Sequence, residues 1–111
     1  MILEVKSIRS AVKVSLDFNG VAKTKQGTEL IKRLKSEGKL VYIISALNTM
    51  HQKFLEEKSG EIGIPPSRVF ATGSNKAKIE KILELNINTH YDNNPDVVLK
   101  LKGIGKLVKY D

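Results

Sequence analysis

The chain has 111 residues and 41% of them are apolar, which suits a single domain over residues 1–111 with one core. It contains no cysteine, which excludes disulfides, thiolate metal sites and cysteine nucleophiles and is compatible with a cytoplasmic location. The formal net charge of +7 favours anionic partners, although a lysine-rich solvated surface would give the same value. Neither a signal peptide nor a membrane span is expected, because no run approaches ~20 apolar residues.

Apolar runs alternate with amphipathic segments, which predicts alternating strands and helices. Strands are expected at 2–5 (ILEV), 11–18, 39–45, 68–71, 89–91 and 106–110. Helices are expected at 27–38, at 49–59, from Ser74 or Asn75 to Leu85, and from Pro95 to about Lys102.

Some residues have expected places within these elements. Thr28 is expected to cap the first helix and Gly38 to end it. In the second helix, Met50, Phe54 and Leu55 are expected to face inward. The aromatic side chains expected in the core are those of Tyr42, Phe54 and Phe70.

Strands that alternate with helices imply an α/β fold with a parallel sheet, right-handed crossovers and helices on both faces. The expected architecture is therefore a three-layer, Rossmann-like domain. In such folds ligands bind at the carboxyl ends of the strands. The polar residues that end the apolar runs are Asp17, Ser45, Thr72, Ser74 and Asp92.

Three of these run-end residues, together with a lysine at a helix start, suit phosphoryl chemistry. A strand-end aspartate such as Asp17 can act as a nucleophile that forms an aspartyl-phosphate. It can also bind Mg²⁺ together with a second aspartate, here Asp92, on a neighbouring strand. A hydroxyl such as Ser45 and a helix-start lysine, Lys76 or Lys78, can hold and neutralise phosphoryl oxygens.

The order and context of these residues resemble the haloacid dehalogenase-like superfamily, most of whose members are Mg²⁺-dependent phosphatases. The four segments that carry the resemblance are VKVSLDFNGV, VYIISA, NKAKIEKIL, and HYDNNPDVV followed by KGIG. Each segment is a weak signal by itself, but four in order, over residues 12–111, are fairly specific. The resemblance implies the superfamily's fold and a phosphatase-like site.

The resemblance also implies residue roles. Asp17 would be the nucleophile and a Mg²⁺ ligand, with Asp92 and the backbone carbonyl of Asn19 as further ligands. Ser45 would hydrogen-bond to the phosphoryl group, and the motif lysine would neutralise it. The neighbouring residues expected to contact the substrate are Gly20 and Ala46.

The motif lysine and the fourth motif each leave a choice. Lys76 is favoured over Lys78 because it lies three and seven residues before Ile79 and Leu83, and so is expected on the inward face. In the fourth motif, Asn93 occupies the second place of a paired-acid form. Asp96 fits the alternative, spaced form and would support a metal-bound water.

Asn19 departs from the superfamily pattern. Phosphatases of this superfamily have an aspartate there, which protonates the leaving oxygen and later activates water. An amide does neither, and general acid–base catalysis is worth ~10²–10⁴-fold, so activity is expected to be impaired or abolished. Three explanations stay open: a natural non-phosphatase, an engineered Asp→Asn substitution, or deamidation at the Asn19–Gly20 pair that restores aspartate in part of the molecules.

The resemblance also bears on the substrate. Only about six residues, 20–25, separate the first motif from the next helix, which indicates a member without a cap domain. An open site suits a bulky substrate or is closed by a second subunit in a homo-oligomer. With the positive charge, this favours a phosphate on a nucleotide or nucleic acid, as in the phosphatase domain of polynucleotide kinases. Lys23 and Lys25 are candidate contacts to a phosphate backbone.

The main alternative to this hypothesis is a catalytically silent module that binds nucleic acid or a protein partner. A bacterial receiver domain is disfavoured, because the strand at 39–45 ends in Ser45 and the strand at 68–71 leads into Thr72, where a receiver needs a phosphorylated Asp at the end of a middle strand. His51 and His90 are expected to be structural or surface residues, since no third histidine or HExxH spacing supports zinc.

Overall fold

The structure is a computed structural model that describes residues 11–110, so the expected strand at 2–5 lies outside the described residues. Its strands are β1 (Lys13–Leu16), β2 (Leu40–Ser45), β3 (Val69–Ala71), β4 (Thr89–Asp92) and β5 (Gly105–Leu107). Its α-helices are α1 (Lys25–Ser36), α2 (Gln52–Glu61), α3 (Asn75–Glu84) and α4 (Pro95–Lys100). The predicted alternation of strands and helices is confirmed over this range.

The strands form one parallel sheet in the order β3-β2-β1-β4-β5. The α/β class predicted from the sequence is confirmed. Strand β1 lies at the centre, with β2 on one side and β4 on the other, so the chain's progression across the sheet reverses there. In parallel sheets, the crevice at such a reversal, beyond the carboxyl ends of the strands, is the preferred place for a ligand.

Helices cover both faces of the sheet, as predicted. Side chains alternate along each strand, so Val14 and Leu16 belong to one core cluster and Tyr42 and Ile44 to another. The first cluster is completed by residues of α1 and α2, and the second by residues of α3 and α4. Each fully buried aliphatic side chain contributes about 1.5–3 kcal/mol, and these two clusters hold the sheet as the middle of three layers.

The first helix begins earlier than predicted. Thr24, and not Thr28, is its N-cap, because the Thr24 hydroxyl oxygen accepts a hydrogen bond from the Gly27 N–H at 2.9 Å. The hydroxyl of Thr28 instead donates to the Thr24 carbonyl at 3.0 Å. Position 27 lies inside the helix and is occupied by glycine, because a β-carbon there would collide with the backbone carbonyl of Val21. The predicted end is confirmed, since Gly38 has φ +80 just beyond Ser36.

The inward face predicted for the second helix is largely wrong. Met50 is 77% exposed and Phe54 is 49% exposed, whereas Leu55 is fully buried. The reason is that α2 packs at the sheet edge and docks there through a polar side chain. The Gln52 amide donates to the Val69 carbonyl and accepts from the Ala71 N–H, both at 2.7 Å. These bonds satisfy backbone groups of the edge strand β3. The apolar contact between α2 and the sheet is therefore narrow.

Two further predictions concern α3 and the aromatic core. Ser74 caps α3 by accepting from the Ala77 N–H at 3.0 Å, which decides between the two predicted caps. Tyr42 is buried and Phe70 packs half-buried against the core, as expected, so Phe54 is the wrong member of that set. None of the helices between residues 11 and 110 combines the length and apolar character that crossing a membrane requires.

Candidate active site

A tight turn follows β1 directly after Asp17. The carbonyl of Asp17 accepts from the Ala22 N–H at 3.0 Å, and the two residues at the turn's centre have type II values: Asn19 φ −69, ψ 128 and Gly20 φ 77, ψ −3. Glycine is required at position 20 for this positive φ. A β-carbon there would also displace the side-chain amide of Asn93, which lies against Gly20. Asn19 itself is exposed at the rim.

Lys78 joins the two aspartates at the carboxyl ends of β1 and β4. Its Nζ lies 3.0 Å from Asp17 Oδ1 and 2.9 Å from Asp92 Oδ2. The Lys78 side chain is 3% exposed, that of Asp17 13% and that of Asp92 0%. The three charged groups are therefore a desolvated cluster at the sheet reversal, with two negative charges and one positive.

The sequence-based preference for Lys76 is not supported by the geometry. Lys76 was expected to share the inward face of its helix with Ile79 and Leu83. It is exposed, as is Leu83 at 52%, whereas Ile82 is fully buried and Lys78, four residues before it, points the same way. The inward face of α3 is therefore centred on Lys78 and Ile82, and Lys78 is the lysine that contacts both aspartates.

A buried histidine contacts the same oxygen of Asp92 as Lys78 does. His90 Nε2 lies 2.8 Å from Asp92 Oδ2, and His90 Nδ1 lies 2.7 Å from Ser15 Oγ. A carboxylate only accepts hydrogen bonds, so Nε2 carries the hydrogen, and in the neutral ring Nδ1 accepts from the Ser15 hydroxyl. Both residues are fully buried. The expectation that His90 is a structural residue is consistent with this position, whereas His51 is exposed.

The aspartates have opposite pKa shifts although they share Lys78. Burial raises the pKa of Asp17 above its usual 3.8, and the Asp92 charge adds to this, although Lys78 opposes it. Burial also acts to raise the pKa of Asp92, but hydrogen bonds from His90 and Lys78, the charge of Lys78 and the Asn94 N–H lower it to about 2. Asp92 is thus a fixed anion, and Asp17 is the more readily protonated carboxyl.

Ser45 ends β2, the other neighbour of β1. Its side chain is buried, and its Oγ accepts from the Leu47 N–H at 3.1 Å. Its carbonyl accepts from both the backbone N–H and the hydroxyl of Thr72, each at 2.8 Å. These bonds fix the end of β2, next to β1, and they use the Ser45 oxygens only as acceptors. Ala46 follows, half-buried, at the same edge. Thr72, one of the polar run ends, therefore has a structural task.

The segment after β4 is built around Asn94. Its N–H donates to Asp92 Oδ1, and its side-chain oxygen accepts from the Asp96 N–H, both at 2.9 Å. Asp96 is exposed and, with Lys76, lines a cavity of about 490 Å³ between α3 and α4 that neither Asp17 nor Asp92 lines. The structure thus brings together Asp17, Lys78 and Asp92, with Asn93 against Gly20, but leaves Lys76 and Asp96 outside this cluster.

The donor set of this cluster suits Mg²⁺ better than a metal that needs a closed ligand cage. In residues 11–110, no group of three or more His, Cys, Asp or Glu side chains could hold a metal. Mg²⁺ does not need one, because it binds through one or two carboxylates and keeps several waters or substrate oxygens. Asp17 and Asp92 supply two carboxylates and a net charge of −1 with Lys78. The Asn19 carbonyl is a backbone oxygen at the same turn.

Comparisons of the chain with protein-family models, with curated proteins and with solved structures found no match. The chemistry of the site therefore rests on its own geometry.

Sequence reasoning missed the Ser15–His90 pair. Each residue lies two positions before one of the aspartates, so strand alternation puts each on the same face of the sheet as its aspartate. The register pairs Ser15 with His90 across β1 and β4. Polar residues at this spacing inside two apolar strands were the available signal, but their contact depends on strand order, which the sequence alone did not give.

Proposed function

We propose that the chain is a Mg²⁺-dependent phosphohydrolase-like domain of the haloacid dehalogenase-like superfamily that acts through an aspartyl-phosphate on Asp17. The observation that carries the proposal is Lys78, which joins Asp17 to Asp92 at the carboxyl ends of two adjacent parallel strands. The motif resemblance supplied these residue types in order, and the fold brings three of them within hydrogen-bond distance.

Asp17 is the proposed nucleophile. Its Oδ1 is held by Lys78, which leaves Oδ2 to attack phosphorus as the bond to the leaving oxygen breaks. Water then hydrolyses the aspartyl-phosphate and returns the free carboxylate. The Lys78 ammonium opposes the effect of burial on the pKa of Asp17 and would offset negative charge on the phosphoryl oxygens. The Ser45 hydroxyl donates to one of those oxygens.

Asp92 is the proposed metal anchor. Its Oδ2 is occupied by Lys78 and His90, and its Oδ1 accepts one hydrogen bond from Asn94 and retains a lone pair. When bound, Mg²⁺ would supply further positive charge to the phosphoryl group and orient it in line with Asp17. A carboxylate whose pKa is about 2 stays ionised throughout the physiological range, which suits a permanent ligand.

Asn19 limits the reaction at its proton-transfer steps. It lies on the exposed turn that directly follows Asp17, but its amide cannot protonate a leaving oxygen. Leaving groups with low pKa need less protonation, so aryl phosphates should be hydrolysed in preference to alkyl phosphates. The second step, attack of water on the aspartyl-phosphate, lacks its general base for either substrate.

Asn19→Asp tests this proposal. We expect it to raise Mg²⁺-dependent turnover by ~10²–10⁴-fold, with a larger gain for an alkyl phosphate than for p-nitrophenyl phosphate. Asp17→Asn in the same background should abolish the gain. A Lys76→Met variant should keep it, whereas Lys78→Met should lose it. Unchanged turnover in Asn19→Asp, in protein that is folded by circular dichroism, would sink the catalytic proposal.

We also propose that no cap domain covers this site. This proposal is supported by two short connections, which leave no room for a further domain. Residues 17–24 separate β1 from α1, and residues 46–51 separate β2 from α2. Such an open entrance suits a large substrate or closure by a second copy of the chain. Sedimentation at micromolar concentration, with and without substrate, would detect the second copy.

A silent binding module is the second candidate, and Asn19 together with the net charge of +7 favours it. In that case the chain would bind nucleic acid with an affinity that falls steeply with salt and is unchanged by Asp17→Ala. Absence of binding at low salt would count against it.

A further inference from the structure

Phe54 is an exposed aromatic side chain that lines two cavities together with residues of the loops after β1 and β2. It is 49% exposed, although its chemistry favours burial. One cavity beside it, of about 300 Å³, is lined by Phe18, Lys23, Phe54, Lys58, Glu61 and Ile62, and is called the aromatic groove below. A second cavity, of about 310 Å³, is lined by Leu47, His51 and Phe54. The Phe54 ring therefore stands between two recesses.

Both recesses adjoin the candidate site through the chain itself. Phe18 lines the aromatic groove and is the residue after Asp17. Leu47 lines the second cavity, and its N–H donates to the Ser45 hydroxyl. The loops that follow Asp17 and Ser45 therefore each contribute a side chain to a recess that Phe54 also lines, so these recesses are where a ligand with its phosphate at the two strand ends would place its remaining part.

The groove combines an aromatic face with positive charge. Lys58 Nζ lies 5.8 Å from the centre of the Phe54 ring, and Lys23 is an exposed lysine in the turn after Asp17. Glu61, 3.6 Å from Lys58, offsets part of this charge. Exposed aromatic rings flanked by lysines are the means by which proteins bind the bases and phosphates of single-stranded nucleic acids. A sugar phosphate without a base would leave the ring unused.

We propose that Phe54 stacks on the base of a nucleoside phosphate whose phosphate occupies the Asp17–Ser45 site. The ligand class is therefore a nucleotide, either free or at the end of a single strand. This inference rests on the proposed function, because it uses the phosphate position which that function assigns. It makes Phe54 a specificity residue outside the charged cluster. It also implies that the leaving group is a nucleoside, whose base Phe54 contacts.

Adenosine 5′-monophosphate and ribose 5-phosphate differ only by the base, so calorimetric titration of both in Mg²⁺ buffer isolates the contribution of stacking. The unsubstituted chain should bind the nucleotide roughly 5- to 150-fold more tightly. Phe54→Ala should bring the two affinities close together. Leu83→Ala is the matched control, because Leu83 is 52% exposed on α3, on the other face of the sheet, and should keep the full preference.

Equal affinity for the two probes in the unsubstituted chain would overturn the inference, as would binding of neither. An undiminished preference in Phe54→Ala would overturn it as well. These outcomes are separable from the catalytic proposal. If Asn19→Asp hydrolyses aryl phosphate but the chain binds the two probes equally, only the stacking is refuted. If the chain prefers the nucleotide but Asn19→Asp shows no turnover, only the catalysis is refuted.

A 5′-phosphorylated single-stranded hexamer distinguishes the two sources of the nucleotide. If the natural ligand is a strand end, the hexamer should bind more tightly than the mononucleotide, and Lys58→Gln should reduce the salt dependence of its affinity. If the ligand is a free nucleotide, the two affinities should be equal and Lys58→Gln should affect both alike.

Discussion

Replacement of Lys78 by methionine is the sharpest test of the charged cluster. Methionine keeps much of the side-chain volume and removes the charge that joins Asp17 to Asp92. At about 3 Å and an effective dielectric constant near 20, each ion pair has a Coulomb energy of about 5.5 kcal/mol before desolvation is counted. Desolvation of the three groups offsets much of this, but removal of one partner leaves two buried anions facing each other.

The expected loss of stability for Lys78→Met is about 3–5 kcal/mol at pH 7, which is the usual cost of breaking a buried ion pair. Urea denaturation followed by circular dichroism measures it. The loss should shrink as the pH falls, because protonation of Asp17, whose pKa burial already raises, removes one of the two facing charges. Mg²⁺ should also restore part of the loss, because it replaces the missing positive charge.

Lys76→Met is the matched control, two residues away on the same helix. Lys76 is exposed, so its loss should change the free energy of unfolding by no more than about 0.5 kcal/mol. Equal stability of the Lys78→Met and Lys76→Met variants would refute the buried cluster. If that equal stability is a loss of several kcal/mol in both variants, independent of pH, the loss belongs to the helix and not to the ion pairs.

Three further predictions concern the surroundings of this cluster. Because the pKa of Asp92 is lowered to about 2, its ionised form stabilises the fold above about pH 4, so the stability advantage over Asp92→Asn should fall by about 2 kcal/mol between pH 5 and pH 2 in urea titrations. His90→Leu leaves the buried Ser15 hydroxyl unpaired and should cost about 1–3 kcal/mol, part of which Ser15→Ala should recover in a double-mutant cycle. Gly20→Ala should lower the free energy of unfolding by about 1–3 kcal/mol in thermal melts, because φ at this position is positive. Gly60→Ala, at a helical position with open space, should raise it by about 0.5–1 kcal/mol.

Sequence periodicity predicted the elements well and some of their inward faces poorly. On α3, Ile79, Ile82, Leu83 and Leu85 formed an apolar arc too broad to define one inward direction. Lys76 and Lys78 each fitted part of that arc, and the choice depended on whether Leu83 or Ile82 marked its centre. The sheet packs on Ile82, which is fully buried, and so selects Lys78.

The error at Phe54 has a different physical origin. Periodicity assumes that a helix buries an apolar stripe against the middle of a sheet. The helix α2 instead lies at the edge strand β3, where unpaired backbone groups need hydrogen bonds and Gln52 supplies them. Gln52 thus makes the contact with the sheet that Met50 and Phe54 were expected to make. Position at a sheet edge follows from strand order, which local sequence patterns do not contain.

Under the proposed function, the candidate site separates proton transfer from charge placement. Asp17, Lys78 and Asp92 form a buried network whose carboxyl pKa values are shifted in opposite directions, and similar divergence separates paired carboxyls into different roles in enzymes. Asn19 lies outside that network on an exposed turn, and its backbone geometry suits an aspartate equally well. An amide at position 19 therefore leaves the charged cluster, and the ligand sites that depend on it, unchanged. The identity of this one side chain should govern proton transfer while the fold and phosphate binding stay constant.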